Sequence, residues 1–251
     1  MNRLRPLLCL MLCLCLLPAF ALAEGLVYGQ SEQGRQLLYY ALGQEDAPQS
    51  LLMVFGIHGF EDEYDRDGQM LFDLAHALIS HYQQNPQALQ GWRLYIVPSA
   101  NPDGLEAGTS KDGFGRCNAN GLNINRDFPV DWKHEIPLRN LNGQEPFATA
   151  EARALRDLAL SLAPTYGVDV HGWINGVYGD DPVADCFHRA FRIDKREYKA
   201  GGMLSQWLST VTQGAAMVEL PPRPADKGYL DKVLTKTINA LSLLMEQEEE
   251  P

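Results

Sequence analysis

Residues 51–63 read LLMVFGIHGFEDE, an apolar run that leads into a histidine with a glycine close on either side. The run Leu51–Ile57 carries β-branched and aromatic residues and is short for a helix, which predicts a buried strand. The two glycines around His58 favour a tight turn from this strand into a loop. The stretch therefore predicts a strand whose end carries chemically active side chains.

Three more apolar runs have the same character, at Arg93–Val97, Tyr166–Val170 and Ala215–Leu220. Segments with helical periodicity alternate with them, and their apolar stripes are Leu71, Leu74, Ala75, Leu78 and Tyr82; Leu155, Leu158 and Leu162; and Leu230, Val233, Leu234, Leu241 and Leu244. This alternation predicts a single α/β domain with a twisted, mostly parallel mixed sheet and helices on both faces. Two stretches without clear periodicity, 99–125 and 172–196, are expected to form functional loops at one rim of that sheet.

The strand ends carry a possible metal site. His58 and Glu61 lie three residues apart after the first strand, and His171, in the sequence GVDVHGW, ends another. Zinc binds imidazole and carboxylate groups, and a catalytic zinc uses three protein ligands with one open position. Asp169 lies two residues before His171 on the same side of a strand, where it could orient that histidine.

The N-terminal residues predict an export signal. Arg3 and Arg5 precede the apolar stretch Leu7–Leu17, and a small-x-small cleavage site ends at Ala23. We therefore expect a mature domain of residues 24–251, periplasmic or extracellular and without a membrane anchor. Removing the two arginines takes the formal net charge from -11 to -13, since no acidic residue leaves with them. Such an acidic protein does not bind nucleic acid through its overall field.

The cysteines fit an exported chain. Three of the five lie in the predicted signal, so Cys117 and Cys186 remain. An even pair in an oxidising compartment favours one disulfide. Two free thiols are the alternative, because sequence alone does not establish pairing.

Taken together, the motifs resemble those of the zinc carboxypeptidase family of carboxypeptidase A. The resemblance spans about residues 51–220 and follows the family's order: His58-x-x-Glu61, Asn101-Pro102-Asp103-Gly104, Arg116, Asn125-Arg126, His171, Tyr198 and Glu219. It implies a carboxypeptidase-like fold and one zinc ion. Carboxypeptidase A is itself a standard example of zinc bound by two histidines and a glutamate, so this ligand set comes with the resemblance.

The resemblance also implies roles. The zinc ligands are His58, Glu61 and His171. Glu219 is the general base that takes a proton from the attacking water, and Arg116 stabilises the oxyanion.

Three further residues are implied to bind the substrate. Asn125, Arg126 and Tyr198 are expected to hold its C-terminal carboxylate, for which a guanidinium fork is well shaped. Binding of that group would make the protein an exopeptidase.

Two positions depart from the family pattern. Asn123 stands where an aspartate usually orients a zinc histidine, so either Asp169 takes over this function or the metal is held less tightly. Asp127 stands where asparagine is frequent, directly after Arg126. Neither change removes a metal ligand.

The expected substrate is a peptidoglycan stem peptide. The short mature chain and its signal resemble the family's peptidoglycan-trimming members, which cut the bond between γ-D-glutamate and diaminopimelate. The alternatives are a carboxypeptidase of ordinary peptides, a zinc deacylase of acylated amino acids, and a binding module that has lost catalysis. The presence of Glu219 beside all three ligands argues against the last of these.

Overall fold

The computed structural model describes residues 24–108, 115–222 and 224–247. The predicted signal peptide, residues 1–23, lies outside the described residues. None of the helices within these ranges is both long enough and apolar enough to cross a bilayer.

The strands of the described residues form one eight-stranded mixed sheet, in the order β1-β2-β4-β3-β5-β8-β6-β7. They are β1 (Leu26–Gln30), β2 (Gln36–Gly43), β3 (Gln49–Phe55), β4 (Trp92–Val97), β5 (Tyr166–Gly172), β6 (Gly176–Gly179), β7 (Asp194–Arg196) and β8 (Gly214–Leu220). The four central strands β4, β3, β5 and β8 are parallel, whereas β2 and β6 join them in antiparallel fashion. The predicted α/β fold with a mostly parallel mixed sheet is confirmed.

Helices cover both faces of this sheet. They are α1 (Gly68–Gln84), α2 (Pro102–Ala107), α3 (Ala150–Leu162), α4 (Val183–Phe191), α5 (Leu204–Leu208) and α6 (Tyr229–Gln247), with short 3-10 turns at Pro86–Leu89 and Ile124–Arg126. Side chains of α1, α4 and α6 pack into the core on one face. Those of α3 and α5 pack into a second core on the other.

Strand β3 shows why its sequence is apolar throughout. Leu51, Met53 and Phe55 belong to the core beneath α1, α4 and α6, whereas Leu52 and Val54 belong to the core beneath α3 and α5. Successive strand residues point to opposite faces, so a strand buried on both sides needs no polar alternation. Burying each such side chain contributes about 1.5–3 kcal/mol. The central strands are thus the rigid base on which the site is built.

The sequence-based boundaries differ from the structure in several places, including shifts of one or two residues at the start of β4, the end of β5 and the start of β8. Strand β3 ends at Phe55, so Ile57 already lies in the turn that follows. The prediction that residues 172–196 are irregular is wrong, because they contain β6, helix α4 and β7. The stretch 99–125, predicted to be a loop, likewise contains the short helix α2. The short length of α4 and the turn residues that precede it obscure its helical pattern.

The predicted disulfide is also wrong, because Cys117 and Cys186 are both free and buried. Cys186 lies on α4 in the core shared with α6, whereas Cys117 lies in a loop with its Sγ 3.8 Å from the carbonyl oxygen of Leu138. The two thiols therefore occupy different parts of the fold. Burial raises the pKa of each to about 11, which keeps both protonated at neutral pH.

Candidate active site

The site lies at the carboxyl ends of the parallel strands β3, β5 and β8. His58 follows β3, while His171 and Glu219 occupy paired register positions near the ends of β5 and β8. All three side chains are buried. Crevices at the carboxyl ends of strands in an open α/β sheet are where such folds bind ligands.

The turn after β3 places the remaining ligand candidate. Gly59 lies between His58 and Glu61, and a Cβ atom there would come within 2.1 Å of the carbonyl carbon of Gly104. Only glycine allows the backbone to approach α2 this closely. The turn can therefore present both His58 and Glu61 to the same point.

His58, Glu61 and His171 offer ligand atoms that all lie within 4.8 Å of one another. The Nδ1 atom of His58 is 3.1 Å from Glu61 Oε2, and the Nδ1 atom of His171 is 3.0 Å from Glu61 Oε1. Two imidazole nitrogens and one carboxylate form the donor set of a catalytic zinc site. The geometry of these residues fits one zinc ion.

The second nitrogen of each ring also has a partner. His58 Nε2 lies 3.1 Å from the amide oxygen of Asn123, and His171 Nε2 lies 2.9 Å from Asp169 Oδ2. When each Nε2–H donates to these oxygens, the Nδ1 lone pairs are left for the metal. Asn123 thus orients His58 itself, although it lacks the charge of the family's aspartate. Asp169 orients His171 in the same way. Burial lowers the pKa of His58 to about 3, which keeps that ring neutral.

Asn125 contacts the pair formed by His171 and Asp169. Its side chain is buried, its amide oxygen accepts a 2.8 Å hydrogen bond from the backbone N–H of Leu204, and its Nδ2 donates to Asp169 Oδ2 at 3.3 Å. Its Nδ2 also lies 2.9 Å from His171 Nε2, so in this structure the Asn125 side chain contacts both Asp169 and His171.

The other two residues expected to bind the substrate carboxylate each donate a hydrogen bond within the chain. The Arg126 guanidinium donates to the backbone carbonyl of Asn125 at 2.6 Å, whereas the Tyr198 hydroxyl donates to Ser205 Oγ at 3.0 Å. Burial lowers the pKa of Arg126 to about 10. Burial raises the pKa of Tyr198. The side chains of Asn125, Arg126 and Tyr198 thus all have hydrogen-bond partners within the chain, and their role in binding the substrate stays a prediction.

Glu219 and Arg116 both lie close to the metal-ligand candidate Glu61. Within the described residues, no group forms a hydrogen bond with the buried Glu219 Oε2. Burial, together with the charge of Glu61, raises the pKa of Glu219 to about 7. The Arg116 Nη1 atom lies 3.3 Å from Glu61 Oε2 and 3.5 Å from Asp62 Oδ2. Glu219 therefore has an oxygen free to exchange a proton, beside a cation that can stabilise an anion.

A cavity of about 180 Å³ opens onto these groups. The residues that line it include Glu61, Arg116, Arg139, Trp173, Ile174 and Glu219. Charged side chains surround the reacting position, and an aromatic side chain forms part of the wall.

Asp67 is a site residue that sequence reasoning missed. Its buried carboxylate accepts hydrogen bonds from the backbone N–H groups of Glu61 at 2.7 Å and Glu63 at 2.8 Å, and from Trp173 Nε1 at 2.9 Å. It thus fastens the loop after β3 to the segment after β5. The only signal in the sequence is an aspartate directly before the helix that starts at Gly68, where aspartate is common for other reasons.

We expect Asp67→Ala to weaken zinc binding by about 10–100-fold, as loss of a group that orients a metal ligand typically does. The change leaves three N–H donors without their acceptor, one of them on the ligand Glu61 itself. Competition against a chromogenic chelator measures the affinity. Asp73→Ala, on the exposed side of α1, is the control and should bind zinc normally. Native affinity in the Asp67 variant would show that Glu61 is positioned without it.

Comparison with protein families gives an independent match. The family model described as zinc carboxypeptidase matches residues 22–190, which include all three ligand candidates.

Two individual relatives extend the match beyond the family model. Bacteriocin BCN5 of Clostridium perfringens is 34% identical over 240 residues, covering 91% of this chain but 26% of the bacteriocin. This chain therefore spans about a quarter of that relative's length. Murein peptide amidase A of Escherichia coli K12 is 25% identical over 234 residues, covering 85% of this chain and 88% of the amidase.

A solved structure shares the fold. The crystal structure of murein-tripeptide amidase MpaA from Escherichia coli O157 superposes with a TM-score of 0.67 at 22% identity. The superposition covers 87% of this chain and 91% of that one. This chain and that amidase therefore share the arrangement of sheet and helices.

Proposed function

Because the chain belongs to the zinc carboxypeptidase family, we propose that it removes a C-terminal residue from peptidoglycan stem peptides outside the cytoplasm. The bond cut would be the one between γ-D-glutamate and diaminopimelate. One observation carries the hydrolytic part of the proposal. The buried Glu219 carboxylate, with an oxygen that no described residue engages, lies beside three convergent metal-ligand candidates.

His58, Glu61 and His171 would hold the zinc, which when bound polarises the scissile carbonyl and lowers the pKa of water. Glu219 accepts the proton of the attacking water on its free oxygen and delivers it to the leaving amine. Its pKa of about 7 lies near neutrality, where both transfers are feasible. Arg116 stabilises the negative charge that develops on the carbonyl oxygen.

The exopeptidase part of the proposal rests on Arg126. Its half-buried guanidinium is near enough to Arg116 and Glu219 for their charges to act on its pKa, which places a desolvated cation at the edge of the site. A terminal carboxylate is the natural partner of such a group. Tyr198 would join it by turning its hydroxyl away from Ser205.

The choice of substrate and compartment rests on similarity. Murein peptide amidase A is matched over 88% of its length, and its name states that it acts on a murein peptide. The signal features of residues 1–23 support export to the periplasm or the outside of the cell. A carboxypeptidase of ordinary peptides is the second candidate, because the metal site would be the same for both.

The experiment is to incubate the zinc-loaded protein with the tripeptide L-Ala-γ-D-Glu-diaminopimelate and, in parallel, with ordinary peptides of the same length. Mass spectrometry identifies the products. Release of free diaminopimelate, at a rate well above cleavage of the ordinary peptides, is the expected result. Faster cleavage of ordinary peptides would make the protein a general carboxypeptidase. Cleavage of acylated amino acids alone would make it a deacylase.

A further inference from the structure

Arg139 is a charged residue of the catalytic cavity that the proposed mechanism does not use. Its side chain is 56% exposed and lines the cavity together with Trp173 and Glu219. The residue lies in the irregular segment between the turn at Ile124–Arg126 and helix α3. A cation in this position can meet the substrate directly.

The backbone and the side chain of Arg139 are both held in place. Its carbonyl oxygen accepts a 3.0 Å hydrogen bond from the amide of Asn123, the residue that orients His58. Its Nη2 atom forms an ion pair with Asp62, which directly follows the ligand Glu61. Asp62 has φ 72°, a left-handed conformation that aspartate adopts infrequently. The guanidinium is therefore fixed relative to the metal ligands on two sides.

Arg139 lines the catalytic cavity directly, and Arg126 is not among the residues that line it. The backbone of Arg126 contacts Gly202, in the segment that follows Tyr198. Arg139 instead lines the cavity with Trp173 and Ile174, which follow strand β5. If Arg126 holds the C-terminal carboxylate of the leaving residue and Arg116 the oxyanion, Arg139 is the cation lining this cavity that is left to meet the acyl-side residue.

We propose that Arg139 binds a free carboxylate on the residue at the acyl side of the scissile bond. A guanidinium has five N–H donors in a planar fork, and the ion pair with Asp62 engages Nη2, so donors remain for a second carboxylate. The inference rests on the proposed function and specifies its substrate: a γ-linked glutamate keeps its α-carboxylate free, whereas an ordinary peptide linkage does not. Arg139 would thus determine specificity for an acidic acyl-side residue.

If the ion pair between Arg139 and Asp62 had only a structural role, the preference between substrates would not depend on Arg139. Loss of Arg139 would then weaken the binding of all substrates alike, because it would act only by loosening the loop after β3 that contains Asp62. The ratio of the Kd of a neutral substrate to that of its acidic counterpart changes only if the guanidinium contacts the carboxylate.

The test compares L-Ala-γ-D-Glu-diaminopimelate with the same tripeptide carrying an α-carboxamide on the glutamate. Calorimetry measures the Kd of both with zinc-loaded Glu219→Gln protein, which avoids turnover. We expect the acid to bind about tenfold tighter than the carboxamide, a modest ratio because the site is partly exposed. Adding Arg139→Ala should reduce the ratio to about one, and Arg139→Lys should restore part of it.

Arg189→Ala is the matched control. Arg189 is 52% exposed and paired with Asp185 on α4, so its loss should leave the ratio unchanged. A ratio near one in the parent protein, a ratio that Arg139→Ala does not change, or no binding of either peptide would overturn the inference. Cleavage by the native protein is scored separately. An acid-selective Kd without release of diaminopimelate would support the role of Arg139 and contradict the proposed function.

Discussion

A peptide whose C-terminal carboxylate is converted to an amide is expected to be cleaved about 10⁴-fold less efficiently than the acid, measured as kcat/KM. The Arg126 guanidinium is desolvated enough for burial to lower its pKa to about 10. An amide substrate loses the charge-assisted hydrogen bonds to this group and also leaves it without an anionic partner. Both effects act in the same direction, which is why the expected loss is large.

Arg126→Ala should remove most of this discrimination by slowing the acid far more than the amide. Arg156→Ala is a suitable control, since that partly exposed arginine pairs with its neighbour Asp157 on α3. Equal rates for acid and amide with the native protein would identify an endopeptidase or a deacylase instead.

Replacing Glu219 with glutamine is expected to lower kcat by about 10³-fold while zinc content and fold are retained. Glutamine has nearly the shape of glutamate but cannot accept the proton of the attacking water. The residue is not one of the three groups that converge on the metal position, so its neutralisation leaves the ligands intact. Stopped assays measure kcat, metal analysis measures the zinc content, and circular dichroism reports the fold, all on one sample.

Glu45→Gln, at an exposed position between β2 and β3, provides the comparison for a glutamate far from the site. Near-native turnover in the Glu219 variant would assign the proton transfer to another group. Loss of zinc from that variant would instead show that Glu219 helps to hold the metal.

The fold was predictable where strands are buried on both faces. The four central strands are continuous apolar runs because helices cover both sides of the sheet, so their sequences differ sharply from the loops around them. The outer strands were not predictable, for the opposite reason. All three residues of β7 are exposed, and β1 is exposed at Leu26 and Val27, so neither carries a hydrophobic pattern.

Within the site, only the residues that belong to the sequence motif could be predicted. His58 and Glu61 lie on one turn and His171 ends a neighbouring parallel strand, so topology alone brings them together. Asp67 and Arg139 reach the site through the paths of long loops, which no periodicity encodes. Asn125 shows the converse case: the motif points to it, but its amide already has backbone and carboxylate partners in the fold.

Cys117 and Cys186, both free, give the protein a pair of natural chemical reporters. A thiol that is buried and protonated is alkylated only when the structure around it opens, so its labelling rate follows a local opening equilibrium. Labelling of Cys186 reports separation of α4 from the core that it shares with α6. Labelling of Cys117 reports opening of the loop beside Arg139. Labelling of the two positions, resolved by peptide mapping, would therefore compare local opening of the hydrophobic core with local opening of the loop beside Arg139. No engineered probe is needed.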